Sequence, residues 1–413
     1  MKVGVGYANC ADPRAAGREA AAQALAAGGI RRPDLLFAFI AGTVAPEAFL
    51  EGLRSVVGEA APVVGGSAVG VITPREISYR GHPCGLLALE GAGTCTRLAA
   101  AENLAADETA AGRRLLADLA PAPRDACLLV FYDSIRRPPS SQGGPPELNV
   151  SARLLAGLAA SPGPGLPVFG AGLLGDYGFA PTVQFHGFGA GSQRAVGLMV
   201  SRRLLPRHRI MHGCSPLDGV LHRVTRAAGN LLFEIDGRPV VEMIDGLYGS
   251  REWRSGRPVD LLTIGRYLGE PYSGTDEDLT VNRLITGVLP DGSGIALFEP
   301  DIPEGAEILF MIRDAEKMNA SARRQTEALL GEIRAAGERP VFGLYIDCAG
   351  RTAAYSQTST EEASEVQRLL GAHGVPFLGF YSGVEIAPCG GASRGLDWTG
   401  VLLVFVEGPA DDR

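Results

Sequence analysis

One pattern recurs three times along this chain and constrains its fold more than any other feature. The first copy opens with the apolar run Leu35-Leu36-Phe37-Ala38-Phe39-Ile40-Ala41. It continues through a helix-length stretch to Pro62-Val63-Val64-Gly65-Gly66-Ser67 and closes with Gly85-Leu86-Leu87-Ala88-Leu89. The second opens at Ala126-Cys127-Leu128-Leu129-Val130-Phe131, reaches Pro167-Val168-Phe169-Gly170-Ala171-Gly172 and closes with Val196-Gly197-Leu198-Met199-Val200. The third runs from Val341-Phe342-Gly343-Leu344-Tyr345-Ile346 through Pro376-Phe377-Leu378-Gly379-Phe380 to Gly400-Val401-Leu402-Leu403-Val404-Phe405. Each copy reads strand, helix, Pro-apolar-apolar-Gly strand, glycine-bearing turn, strand. Apolar runs without alternation predict strands covered on both faces, as in layered α/β structures.

Helix ends are legible between these runs. Asp12 is placed to cap a helix with Pro13 at its first position and Gly28 just past its end. Ser359 and Glu362 have capping-box spacing ahead of Val366, Leu369 and Leu370. An amphipathic helix is expected from about Ala315 to Ala336, stopped by Gly337. From about His222 to Arg313 the texture changes to short alternating runs separated by turns such as Asp236-Gly237 and Asp291-Gly292, which predicts an antiparallel sheet. The segment 138–146, rich in Pro, Ser and Gly, reads as a solvated loop.

A chain of 413 residues exceeds one comfortable core. The expected class is α/β (layered α+β), with repeated strand-helix-strand-strand units in two domains, 1–204 and 205–413, the second carrying the added antiparallel sheet. The break falls near Arg202 to Arg209, where the second repeat closes. Net charge is −8 with scattered basic residues, so no clustered Lys/Arg surface offers itself to nucleic acid. No apolar run is long enough to span a bilayer, and Met1-Lys2-Val3-Gly4-Val5-Gly6 enters a strand-like stretch without a signal-peptide core. The seven cysteines are widely spaced with no CxxC pair, which predicts reduced thiols and a cytoplasmic setting.

The ordered landmarks resemble the FIST family. Arg32-Pro33-Asp34-Leu35, Val64-Gly65-Gly66-Ser67-Ala68 and Phe169-Gly170-Ala171-Gly172 with Asp176 downstream are similar to the FIST N-terminal domain. His212-Gly213, the stretch from Val224-Thr225 to Glu234-Ile235-Asp236-Gly237-Arg238-Pro239, Ile302-Pro303-Glu304-Gly305 and Cys348-Ala349-Gly350-Arg351 resemble its C-terminal domain. Pro376 to Phe380 with Glu385-Ile386 completes that second set. Cys214 stands where an aromatic commonly follows the His-Gly pair, and Gly383-Val384 replaces the usual aromatic-glycine before Glu385. The resemblance implies a sensory module that binds a small ligand, such as an amino acid. It also implies action on a separate signalling partner, a histidine kinase or a cyclase. Some stand-alone members are haem-binding nitric-oxide sensors, so haem is a candidate cofactor.

Candidate site residues follow from position and chemistry. Cys348-Ala349-Gly350-Arg351 comes directly after an apolar strand, where α/β folds place ligands, and Arg351 offers a fork for a carboxylate or phosphate. The competing reading makes Cys348 a small buried hydrophobe and pairs Arg351 with a structural carboxylate such as Glu385. A catalytic Cys348 would need a nearby base, and the only local histidine, His373, has the sequence setting of an exposed helix end. Catalysis is therefore the lesser reading, and no catalytic residue is assigned. Asp176 occupies the second repeat's counterpart of the Glu385 loop, and Ser67 the first repeat's; symmetric packing would bring Asp176, Arg351 and Glu385 to one crevice. Among His208, His212, Cys214 and His222, His212 in the His-Gly pair is the candidate axial haem ligand.

Overall fold

The computed structural model describes residues 1–123, 125–139, 146–160, 165–256, 259–270, 277–356 and 358–409. Most of the Pro/Ser/Gly segment 138–146 lies outside these.

The three sequence repeats are three copies of one six-stranded sheet. The first sheet is ordered Lys2–Asn9, Pro83–Glu90, Leu35–Ala41, Val63–Ala68, then the hairpin Gln184–Gly187 and Gly189–Gly191. The second is ordered Thr96–Ala101, Ala195–Ser201, Asp125–Asp133, Val168–Leu173, then the hairpin Val384–Cys389 and Ala392–Leu396. The third is ordered Leu204–Met211, Gly400–Glu407, Pro340–Cys348, Phe377–Ser382, then Val71–Ile72 and Ile77–Ser78. In each, the opening strand and the Pro-apolar-apolar-Gly strand run parallel, and every other pairing is antiparallel.

The outer hairpins are exchanged in a ring. The first repeat lends its hairpin to the third sheet, the third to the second, and the second to the first. The chain passes from second to third sheet between Ser201 and Leu204, but the exchange interlocks the two halves on either side of that turn.

Alternation explains why the apolar runs are unbroken. Leu35, Phe37 and Phe39 face a core shared with Cys127, Leu129 and Phe131 and with Phe342, Leu344 and Ile346. Their neighbours Leu36, Ala38 and Ile40 face away, toward the helices Pro13–Gly28 and Pro46–Val57. The second sheet is backed by Glu108–Leu119 and Ser151–Leu158, and the third by Ala315–Ala335 and Ala363–Ala372. Both faces of the central strands of each sheet are therefore buried. Phe39 lies between the other two sheets, stacked on Phe380 at 3.6 Å between ring centroids and edge-on to Phe131 at 5.5 Å. Burying each such ring contributes about 1.5–3 kcal/mol.

Asp12 caps the first helix with Pro13 at its start, as read from the sequence, although Gly29 (φ +56°), one residue later than expected, supplies the left-handed stop. The helix Ala315–Ala335 matches its expected span. Glu362 departs from expectation. It makes no capping bond at the start of Ala363–Ala372, because its carboxylate is buried against Arg351.

The antiparallel insertion sits between Leu204–Met211 and the helix at Ala315. Six strands, His222–Ala228, Leu231–Ile235, Ile295–Leu297, Thr280–Val288, Leu262–Tyr267 and Glu307–Ile312, pair in that order, and the last pairs back to the first. The sheet is thus a closed barrel. Its core takes Val240, Val241 and Ile244 from the helix Val240–Tyr248 together with Trp253, Ile264, Ile285 and Phe310. Among the described residues no helix is long and apolar enough to cross a membrane.

Candidate functional site

A cavity of about 190 Å³ opens where the third repeat's chain crosses to the second sheet. Its floor lies at the carboxyl ends of parallel strands, where ligands of α/β sheets gather. Ser134 follows the second repeat's opening strand, and Leu174 follows its neighbour; Tyr177 and Phe179 come from the loop beyond. Cys348 ends the third repeat's opening strand, and Ser382 and Gly383 make the crossing itself. Trp398 and Tyr355 complete that side, while the barrel contributes Leu284 and Phe298. Three parts of the molecule therefore meet at one hole.

Two of its walls are strained. Six non-glycine residues have positive φ among the described residues, and the only aromatic ones, Phe179 (+55°) and Trp398 (+54°), both line this cavity. Bulky side chains rarely accept that backbone, at a cost of about 1–3 kcal/mol each, and such strain gathers at functional sites. Trp398 is held in place from two sides. A Cβ at Gly350 would meet its ring at 2.0 Å, so only glycine fits there, and the Arg313 guanidinium lies 3.6 Å from its centroid. At the mouth, Tyr177 stacks on Tyr355 at 5.3 Å, and the Tyr177 hydroxyl lies 2.8 Å from the Ala349 carbonyl oxygen.

Behind the floor lies a buried polar cluster. Arg351 is fully buried; Nε pairs with Glu362 and lies 3.3 Å from Asp347 Oδ1, and Nη1 donates to the carbonyls of His212 (2.8 Å) and Trp398 (2.7 Å). Burial, then the like charge of Glu362, pushes the Asp347 carboxyl well up. Burial likewise pushes the Glu385 carboxyl well above its ordinary range. Ser382 Oγ stands 2.8 Å from Glu385 Oε1 and 3.1 Å from the Asp347 carbonyl oxygen.

Of the residues singled out from the sequence, Cys348 lines the cavity. Glu385 and Arg351 lie behind it rather than in it, and Arg351 takes Glu362 and Asp347 as partners, not Glu385. The Asp176 carboxylate caps its own turn, accepting from the N–H groups of Gly178 (2.8 Å) and Ala180 (3.2 Å). By strand register the second repeat's counterpart of Glu385 is Gln184, because the stretch 174–183 is eight residues longer than its third-repeat equivalent, 383–384. Ser67 Oγ accepts from the Val183 N–H at 2.9 Å and fastens the exchanged hairpin. Phe179, Trp398, Leu284 and Phe298 escaped sequence reading. No local motif marks them, and they are spread over more than 200 residues of the chain.

The Cys348 thiol is pushed well up by burial and by Glu385, with the Gly350 and Trp398 N–H groups pulling the other way. No histidine ring hydrogen-bonds it among the described residues, so nothing there prepares a thiolate.

His212 is buried, and burial lowers its pKa to about 4. The Cys214 N–H donates to its Nδ1 at 3.0 Å, which puts the ring proton on Nε2, an atom without a partner among the described residues. An axial ligand needs a lone pair at the free nitrogen, and here one nitrogen is used and the other protonated. His212 also stands outside the cavity, and His222 is held apart by Asp236 (2.6 Å) and Asp218 (3.0 Å). No group of three or more His, Cys, Asp or Glu is arranged to hold a metal ion among the described residues. These residues do not fit haem.

The chain matches the FIST N domain over residues 2–238 and the FIST C domain over 256–388. It belongs to the FIST family. FIST domains are small-ligand sensory domains of signal transduction. An uncharacterized protein of Mycobacterium tuberculosis is 28% identical over 203 residues, 48% of this chain and 50% of its own length. One from Mycobacterium bovis is 28% identical over 205 residues, with the same shares. The chain thus spans about half the length of the curated relatives it matches. Among solved structures, T. maritima PurL complexed with ADP aligns over 98% of this chain and 71% of that one, at 8% identity and a TM-score of 0.23, too low to bear on fold or function.

Proposed function

We propose that this FIST protein is a sensor whose small ligand occupies the cavity at the crossing of the third repeat. The supporting observation is that the second repeat, the third repeat and the barrel each supply a wall. A ligand there touches all three, so its binding energy depends on how the barrel sits against the sheets. That differential contact is what couples occupancy to shape.

The barrel's seat is polar and buried, which suits a joint with two arrangements. Glu299 accepts from the N–H groups of Ser151 (3.0 Å) and Ala152 (3.4 Å) at the start of a second-repeat helix. Arg283 donates to the Gly395 carbonyl (2.9 Å), and Asp397 accepts from the Leu284 N–H (2.9 Å), on the exchanged hairpin and just beyond it. Leu284 is itself a cavity wall. In this reading a ligand shifts that seat and changes the surface offered to a separate signalling partner, a histidine kinase or a cyclase.

A thermal-shift screen against metabolite pools tests the site, since a ligand of the native state raises the melting temperature. The expected result is a pool that stabilises the wild type but not Leu174→Trp, whose larger ring fills the cavity. Equal shifts in both proteins would place the ligand elsewhere.

A further inference from the structure

Resting on the reading that the cavity is the ligand site, we infer that its ligand is an uncharged, predominantly aromatic small molecule rather than an ionised one such as an amino acid. The cavity offers rings and no formal charge. Tyr177, Phe179, Phe298, Tyr355 and Trp398 supply five aromatic faces, and no Asp, Glu, Lys, Arg or His lines it among the described residues. Burying a charged group without a partner costs several kcal/mol, so an ammonium or carboxylate placed there would meet a penalty that nothing offsets.

Nearby charges do not remedy this. A cation would be drawn to the rings, but Arg313 already covers the Trp398 ring and Arg351 is buried behind it. An anion would be drawn to those guanidinium groups, yet neither lines the cavity and each already donates elsewhere, leaving only Arg313 Nε and Arg351 Nη2 without an acceptor among the described residues. Arg313 donates to the carbonyls of Asp260 (2.7 Å) and Gly350 (3.0 Å), and Arg351 to those of His212 and Trp398 while pairing with Glu362. The strained backbones of Phe179 and Trp398 add a second, independent indication. The fold holds two rings at positions that cost energy, which is useful where ring contact is what binding requires. The space, about 190 Å³, suits about one benzene ring with a short substituent, since an apolar cavity of roughly 150 Å³ binds benzene.

The protein has two tryptophans, Trp253 and Trp398. In a Trp253→Phe background, the emission of Trp398 reports on the cavity floor. Four probes sharing one ring then separate the alternatives: acetophenone, benzoate, benzyltrimethylammonium and L-phenylalanine. Acetophenone is expected to quench or shift Trp398 with at least about tenfold higher affinity than each charged probe, and Phe298→Ala to weaken it. Comparable or tighter binding of any charged probe would overturn the inference while leaving the cavity as the ligand site. Failure of all four to perturb Trp398 would overturn both. A matched thermal melt of the Phe298→Ala protein distinguishes a lost wall from a lost fold.

Discussion

The first and third repeats cross to neighbouring sheets through the same backbone geometry, and the cavity described above opens at the third. At the first crossing, register places Ile40, Ala41, Ala68 and Val71 where the third has Asp347, Cys348, Ser382 and Glu385. The first crossing is sealed, with Val69 N–H donating to Tyr381 O (3.1 Å) and Tyr381 N–H to Gly70 O (3.0 Å) among buried apolar side chains. The second repeat takes a middle course. Its Asp133, in the Cys348 position, is buried but accepts from Thr182 Oγ1 (2.7 Å) and from the N–H groups of Ile135 (3.0 Å) and Gln193 (2.9 Å). The fold therefore does not require polar residues at these positions. At the third crossing Asp347 and Glu385 keep carboxylate oxygens without a hydrogen-bond partner among the described residues, beside the cavity.

The largest effect should come from the ion pair that anchors the hollow crossing. Glu362→Ala leaves Arg351 buried with its strongest partner gone, and should destabilise the protein by about 3–5 kcal/mol in chemical denaturation. A loss below about 1 kcal/mol would show that the third crossing is no more dependent on charge than the first. The next effect is on pH. His212 titrates at about 4 when folded against an ordinary 6.5, so it is neutral in the fold and the unfolded chain binds the extra proton between those values. Its contribution is fully present above pH 6.5 and lost as pH falls toward 4, amounting to about 3 kcal/mol. His212→Asn keeps an acceptor for the Cys214 N–H without a titrating ring, so its stability should fall less than the wild type's between pH 6.5 and 4. Parallel pH profiles would remove His212 from the account.

The repeats, their two-sided burial and most helix ends were legible in the sequence because they depend on local periodicity and caps. The hairpin exchange was not, since an apolar run records that a strand is buried but not which sheet it joins. Val71-Ile72 reads as part of a turn until the third sheet is seen beside it. Local grammar also misled at Glu362, whose spacing from Ser359 suits a capping box although its carboxylate serves Arg351. At Asp176 an ungapped comparison of repeats could not reveal eight extra residues, which shift the true counterpart of Glu385 to Gln184. Cys348 was legible as a site residue because it ends a strand; Trp398, the strained floor, was not, because positive φ leaves no mark in a tryptophan's neighbours.

Grafting the sealed crossing onto the hollow one tests the comparison directly. Ser382→Ala with Glu385→Val removes both partners of one buried hydrogen bond and installs the first repeat's residues. Replacing a buried polar pair by apolar groups of similar size is near neutral or stabilising, so unfolding free energy should change by about 1 kcal/mol or less, with a gain favoured. A strongly destabilised double variant would mean that the pair supports the fold after all.

The smallest expected change in stability, and the sharpest separation of fold from function, belongs to Phe179. Asparagine tolerates the left-handed conformation that phenylalanine resists, so Phe179→Asn relieves strain while giving up partial burial of a ring. These terms oppose each other at about 1 kcal/mol each, and the melting temperature should stay within a few degrees of the wild type. Binding should behave differently, because the aromatic wall is gone: the acetophenone signal from Trp398 should weaken by about tenfold. If Phe179→Asn instead bound as well as the wild type, the strain at that loop would belong to the fold, and the hollow crossing would need a wall other than Phe179 to explain its selectivity.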